Sequence, residues 1–419
     1  MQEKADSELV RRQNRHIVLR ALRNHGALAR VQLGRITGLS PASITSIASQ
    51  LIAENILQEL QSPLPIAATT KRGRPITRLD LKPEASHVLA ANISIDRISL
   101  AIANFRGNIL HRTTLHVPTY KADKHGFGTT VAVAINDFLK VTKTGLQNIA
   151  RIGVAVQGLA DMNTGTLLWS PAFEARNIAL AGPLQAHFKL PCLVANDANM
   201  IAEGFLSRDM AEWTHELPAA RNGITATIFT GYGVGMGLII DGEVYHGATG
   251  GASEFGHMNH IPHGALCRCG RRGCIEAYAA DYGIWRHARG HADDAAPHGA
   301  IDPLQMTELF EAARNGEPRA VAAFQQAGEA LGFGIARLIA ILNPNRVVIA
   351  GPGLSASTII EPSLREGIAS GVIEELRKNV SIEFVPFETD MILRGTIDAL
   401  LRAVDGDITA HTQSAMAVA

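Results

Sequence analysis

The stretch Gly251-Ala-Ser-Glu254-Phe-Gly-His257-Met-Asn-His-Ile-Pro-His-Gly-Ala-Leu-Cys267-Arg-Cys269-Gly-Arg-Arg-Gly-Cys274-Ile-Glu276 gathers three histidines, three cysteines and two glutamates within 26 residues. Thiolates and an imidazole are the donors of a tetrahedral structural zinc, and Cys-x-Cys-x4-Cys closes tightly enough to leave no position for hydrolytic water. His257, Cys267, Cys269 and Cys274 are the expected ligands, with His260 and His263 as weaker substitutes for His257. Such a metal organises a loop and does no chemistry. The chain has only one other cysteine, Cys192, so a disulfide framework leaves a clustered thiol unpaired, and nothing at Met1 resembles a secretion signal. A reducing, cytoplasmic location is expected.

At 419 residues the chain exceeds one hydrophobic core, so two or three domains are expected. Lys plus Arg equals Asp plus Glu at 39 each, yet residues 1–85 hold thirteen basic against seven acidic residues, a surplus of six. That asymmetry points to a polyanion at the N-terminal end, although a solvated basic face is the commoner origin of such a surplus. No apolar run is long enough to cross a bilayer.

Leu9 to Asn24 reads as a helix with Val10, Ile17, Val18, Ala21 and Leu22 inward and Arg11, Arg12, Arg15, Arg20 and Arg23 on an exposed basic face. Ala29 to Ile36 makes a second helix, ended at Gly38. Ser40 is positioned as the N-cap of a third, with Pro41 at its first position. There Ile44, Ile47, Ala48, Leu51 and Ile52 face inward, and Ser43, Thr45, Ser46 and Gln50 are left outward to meet base edges. This is a helix-turn-helix layout, which periodicity alone does not separate from an ordinary three-helix bundle. Two further features tilt the balance. Ile56–Leu60 and Pro75–Leu81 read as the strands of a wing, and Lys71-Arg72-Gly73-Arg74-Pro75 between them suits a narrow minor groove better than a solvated loop. Residues 1–83 are therefore expected as a winged helix-turn-helix, with Ser40, Ser43, Thr45, Ser46, Gln50, Arg72 and Arg74 on operator DNA.

From His87 the pattern becomes apolar strands and glycine turns, in the order βββαβαβ, and the order recurs from Gly223. Two α/β lobes are expected, 84–200 and 201–405, with one helix across Ile275–Arg289 and a frayed tail over 406–419. Thr230-Gly-Tyr-Gly-Val-Gly-Met-Gly, Glu254-Phe-Gly-His257, Cys267-Arg-Cys-Gly-Arg-Arg-Gly-Cys274-Ile-Glu276 and Val194-Ala-Asn-Asp-Ala-Asn resemble the ROK family of repressors, open reading frames and kinases, along essentially the whole chain. The zinc motif is the specific part. The resemblance implies an α/β fold in which a winged helix-turn-helix precedes a two-lobed actin-like (RNase H-like) ATPase domain.

Family kinases carry an Asp-x-Gly-Gly-Thr phosphate loop at the first strand turn, where this chain has Asn92-Ile93-Ser94-Ile95-Asp96-Arg97. Without those glycines the backbone cannot close on phosphates, and without the leading carboxylate magnesium loses its anchor. The hexose-contacting residues are kept: Asn196, Asp197, Glu254, His257 and Glu276 match the family pattern, Asp197 at the kinase's catalytic base. Ala172 follows Ser170-Pro171 where the family often has Asn. The implied function is a sugar-responsive transcriptional repressor of carbohydrate genes with structural zinc. Its expected effector is a sugar or sugar phosphate, or a sugar-transport protein, and its expected assembly a homodimer or homotetramer. The alternative is a zinc-containing, ATP-dependent sugar kinase.

Overall fold

The structure is a computed structural model that describes residues 2–61, 77–207, 223–294, 300–386 and 390–416. Its N-terminal part runs α1 (Gln2–His25), β1 (Leu28–Ala29), α2 (Arg30–Thr37), α3 (Pro41–Ala53), β2 (Leu57–Gln61) and β3 (Thr77–Leu81). The three strands pair in the antiparallel order β1-β3-β2, so the expected wing forms. Gly38 ends α2 at φ 72°, and the Ser40 hydroxyl accepts the Ser43 N–H at 3.2 Å to cap α3. Ile44, Ile47, Ala48 and Leu51 are buried. Ser40, Thr45 and Ser46 are exposed on the opposite side, while Ser43 and Gln50 are half-buried. Arg72 and Arg74 lie outside the described residues.

The basic face of α1 differs from its reading. Val10 and Ile17 are exposed, and Arg15 is buried at 1% with Val18, Leu19 and Leu22. Arg15 forks onto Glu54 at the end of α3, Nη1 to Oε1 at 2.9 Å. A helical wheel scores arginine as solvated, but a guanidinium with a bidentate carboxylate can be buried.

The first lobe comprises β4 (His87–Ser94), β5 (Arg97–Asn104), β6 (Ile109–His116), α4 (Phe127–Thr142), β7 (Ile149–Val156), β8 (Leu159–Asp161), β9 (Thr166–Trp169), β10 (Ile178–Ala179), α5 (Ala181–Phe188), β11 (Cys192–Asn196) and α6 (Asp197–Ser207). Its main sheet is ordered β11-β7-β4-β5-β6, with β7 parallel to both β4 and β11. The second lobe contributes β12 (Ile224–Thr230), β13 (Val234–Ile240), β14 (Glu243–Val244), α7 (Glu276–Ala279), α8 (Asp281–Ala288), α9 (Pro303–Arg314), α10 (Pro318–Leu342), β15 (Arg346–Ala350), α11 (Ser357–Gly371), α12 (Glu374–Arg377) and β16 (Ser381–Val385), before α13 (Met391–Met416) closes the chain. Its sheet, β14-β13-β12-β15-β16, repeats the plan of a three-strand meander extended by parallel strands.

Two expectations change. The helix expected across Ile275–Arg289 breaks at Ala280, which is extended at φ −81°, ψ 159°. The break frees the Asp281 N–H to donate to Gly231 O at 2.7 Å, tying the helix pair to the glycine turn. The expected tail instead continues α13 to Met416, and that helix returns from the second lobe to pack on β4, β7 and α6. Leu400 and Leu401 join Val88 and Ala101 of the first sheet and Leu19, Leu22 and Leu79 of the winged helix in one core. Among the described residues no helix is long and apolar enough to cross a membrane.

Candidate functional site

The loop after β14 brings His257, Cys267, Cys269 and Cys274 together, their donor atoms all within 4.8 Å of one another. Cys269 and Cys274 sulfurs are 3.8 Å apart, and Cys267 Sγ lies 3.7 Å from His257 Nδ1. A tetrahedron with Zn–S of about 2.3 Å has S···S edges of about 3.8 Å, so the donor set fits a zinc ion. Hydrogen bonds with Cys267 and Cys274 pull Cys269 well below the usual thiol range, and hydrogen bonds to Cys269 and Cys274 push Cys267 above it, so the cluster shares its protons as a unit. The loop's turn depends on Gly273, at φ 79°, where a Cβ would meet Ile261 O at 1.7 Å. His260 stays out of the cluster, its ring 5.4 Å from that of Tyr278 and 5.8 Å from that of Phe333.

His257 joins this cluster to the cleft. Nδ1 faces the sulfurs, whereas Nε2 lies 3.9 Å from Glu254 Oε2. The ring also meets Trp169 of β9 edge-on at 5.4 Å. Trp169 belongs to the site's wall, and the sequence reading missed it. One of only three tryptophans in the chain, directly before Ser170-Pro171, was the available signal.

Asp197 opens α6 from the end of β11. Burial pushes its carboxyl up to about 7, with Glu254 and Glu276 adding in the same direction and the Ala198 N–H opposing. Glu254 is raised as well, by burial first and then by Glu276 and Cys269, with His257 pulling it down. Glu254 and Glu276 thus act on Asp197 in the same direction, a strain that protonation, or a hydrogen-bond donor entering the cleft, relieves. Asn196 is largely consumed by the backbone: Nδ2 donates to Gly158 O at 2.8 Å and Oδ1 accepts the Ala198 and Asn199 N–H groups at 2.8 and 3.3 Å. Glu276, 6% exposed, accepts the Val234 N–H at 3.2 Å and has Tyr282 Oη and Cys267 Sγ each at 3.5 Å. Ala172 is buried, its N–H bonded to Ser170 Oγ.

The two turns where a kinase holds phosphate are spoken for. The β4–β5 turn is tight, pairing Ser94 with Arg97, and Asp96 sits at φ 51°. Asp96 Oδ1 accepts the Thr119 N–H at 3.0 Å while its own N–H bonds Thr119 Oγ1 at 2.9 Å, so the turn is tied to the segment after β6. In the Gly231–Gly233 turn, Tyr232 O accepts from Arg268 of the zinc loop at 2.9 Å. The Arg268 guanidinium lies between the Tyr232 and Tyr282 rings, 4.4 and 4.2 Å from their centroids. Glu276 already occupies the Val234 N–H that an anion at this turn would use.

Comparison with known proteins places this geometry. The chain is 24% identical over 394 residues to the xylose repressor of Caldicellulosiruptor bescii, covering 93% of this chain and 95% of that one. The crystal structure of a ROK family transcriptional regulator, a homologue of the Escherichia coli Mlc protein, superposes with a TM-score of 0.74 at 25% identity, covering 95% of this chain and 97% of the other. A ROK family glucokinase from Streptomyces griseus, solved with glucose and AMPPNP, superposes at 0.59 with 24% identity, covering 75% of this chain and 99% of the kinase. The sequence model of the ROK family matches residues 88–398, and the chain belongs to that family.

Proposed function

We propose that this protein is a sugar-responsive transcriptional regulator, a repressor of genes for carbohydrate uptake or metabolism, and not a sugar kinase. The observation that carries the reading is the combination in one molecule of a winged helix with an exposed α3 and a carboxylate-lined cleft whose first phosphate turn is closed by Asp96 and Thr119. The similarity to a xylose repressor and to an Mlc homologue along more than nine-tenths of the chain supports it. In this reading α3, with Arg72 and Arg74 beyond it, meets operator DNA. Asp197, Glu254 and Glu276 take sugar hydroxyls, with His257 and Asn196 orienting them. Carboxylates facing a polyol form the paired hydrogen bonds that distinguish a sugar from water.

The residues that would hold zinc are His257, Cys267, Cys269 and Cys274. The ion would supply rigidity alone, fixing the His257 ring by one nitrogen while the other faces the cleft. Two-fold operators suit a homodimer or homotetramer, and a sugar-transport protein is the alternative effector. Two measurements test the reading together. Fluorescence anisotropy with promoter fragments of carbohydrate genes should show selective binding altered by one of a panel of pentoses and hexoses. Coupled ADP release with the same panel and Mg-ATP should stay at background. Sugar-dependent ADP release, or no selective duplex binding, overturns the proposal.

A further inference from the structure

Both walls of the cleft converge on one buried carboxylate. Glu203 stands six residues along α6 from Asp197, nearly two turns away, and is 6% exposed. His246 begins the loop that leads to Glu254, and its Nε2 lies 3.8 Å from Glu203 Oε1. From the other side Arg402 of α13 pairs with Glu203 Oε2. One turn further along α13, Asp405, 2% exposed, accepts from Arg23 Nη2 at 2.5 Å. Arg23 belongs to α1 of the winged helix. It also donates to Phe105 O, and its guanidinium lies 4.8 Å from the Phe105 ring centroid. Arg402 and Asp405 share with His16, Arg20 and Arg23 a cavity of about 20 Å³, room for about one water. Glu203 and Asp405 are buried carboxylates each held by an arginine, and α13 carries one member of each pair, so a shift of that helix moves both.

The backbone follows the same path. α6 and α13 cross at two glycines: a Cβ on Gly395 would sit 1.6 Å from Met200 O, and one on Gly204 would sit 3.5 Å from Gly395 Cα. Helices touching backbone to backbone have no side chains between them to absorb a shift. At its other side α13 packs directly on α1 and shares the core of the winged helix.

We propose that two arginine–carboxylate pairs carried one turn apart on α13, Glu203–Arg402 and Asp405–Arg23, braced by the Gly204/Gly395 crossing, couple the cleft to the DNA-contacting helices. The inference rests on the function proposed above for the cleft and names its transmission. A ligand that draws the Glu254 loop and the Asp197 end of α6 together moves both groups that meet at Glu203. α13 then carries the displacement to Arg23 and resets α1, against which α3 packs.

Hydrogen exchange by mass spectrometry on the full chain tests this without any ligand. Glu203→Gln should speed exchange in α1 peptides over residues 14–25, which Glu203 does not touch, by roughly five- to tenfold. Reciprocally, Arg23→Met should speed exchange in the 246–254 loop. Arg402→Lys, which keeps the charge but loses the fork, guards against a misfolded Glu203→Gln and should give a smaller rise at both ends. Changes confined to each variant's own neighbours overturn the coupling. A second arm adds D-xylose, D-glucose or N-acetyl-D-glucosamine to the wild type. Protection over 192–204 and 246–258 with altered α1 exchange supports the proposal, and the same protection with α1 unchanged overturns it. Reciprocal effects in the variants with no protection by any of the three sugars uphold the coupling and count against the sugar reading instead.

Discussion

Asp197→Asn should make the protein more stable at pH 8 than the wild type while leaving the two nearly equal at pH 4. The wild-type carboxyl is pushed from 3.8 up to about 7, by burial first and then by Glu254 and Glu276. In the unfolded chain the group titrates near its ordinary value. Between about pH 4 and pH 7 the folded state therefore binds the extra proton, and stability falls as pH rises through that window. About three pH units at ~1.36 kcal/mol each set a ceiling of ~4 kcal/mol. The side chain keeps part of its surface open to the cleft, so a gap of ~2 kcal/mol at pH 8 is expected. Asparagine keeps the shape and cannot ionise. Urea unfolding followed by tryptophan fluorescence at pH 4, 6 and 8, wild type beside variant, measures the gap directly. A gap of the same size at all three pH values would refute the claim that the cleft strains a buried negative charge.

Other perturbations address the remaining parts of the molecule. Protein purified from zinc-replete cells should carry roughly one zinc per chain by plasma mass spectrometry; Cys269→Ser should lose most of it and melt earlier, and a metal-free wild type would remove the centre from the account. Glu54→Ala strands the buried Arg15 and should cost the winged helix ~3 kcal/mol, whereas Arg15→Met, which removes the charge as well, should cost far less by the same denaturation assay. Replacing Arg72 and Arg74 together with alanine should abolish tight operator binding and flatten its log–log salt dependence by roughly two. That double variant should leave sugar-induced thermal shifts untouched, so a lost shift would contradict the assigned division of labour.

Local chemistry made part of this protein legible without coordinates. The Cys-x-Cys-x4-Cys run could close on itself because its donors lie within eight residues, and the donor distances agree. Ser40 and Pro41 announced the start of α3 because capping is a contact three residues long. The phosphate turn was readable as defective since the missing glycines are a property of the backbone itself. Readings of which way a side chain faces fared worse when the partner came from far away. Arg15 and Arg23 look solvated on a helical wheel, yet Glu54 and Asp405, 39 and 382 residues distant, bury them. Glu276 looked like a free cleft carboxylate until the Val234 N–H, 42 residues upstream, claimed one oxygen.

What the sequence determined by itself was the chemistry available: a four-donor metal loop, a capped helix between exposed polar groups, a run of carboxylates and a turn unable to cradle phosphate. Each follows from residues close together in the chain, whose geometry the backbone fixes locally. What only the tertiary structure decided was connection. α13 leaves the second lobe, crosses α6 glycine on glycine and enters the core of the winged helix, a path that depends on shape matching between surfaces and leaves no periodic trace in the residues that make it.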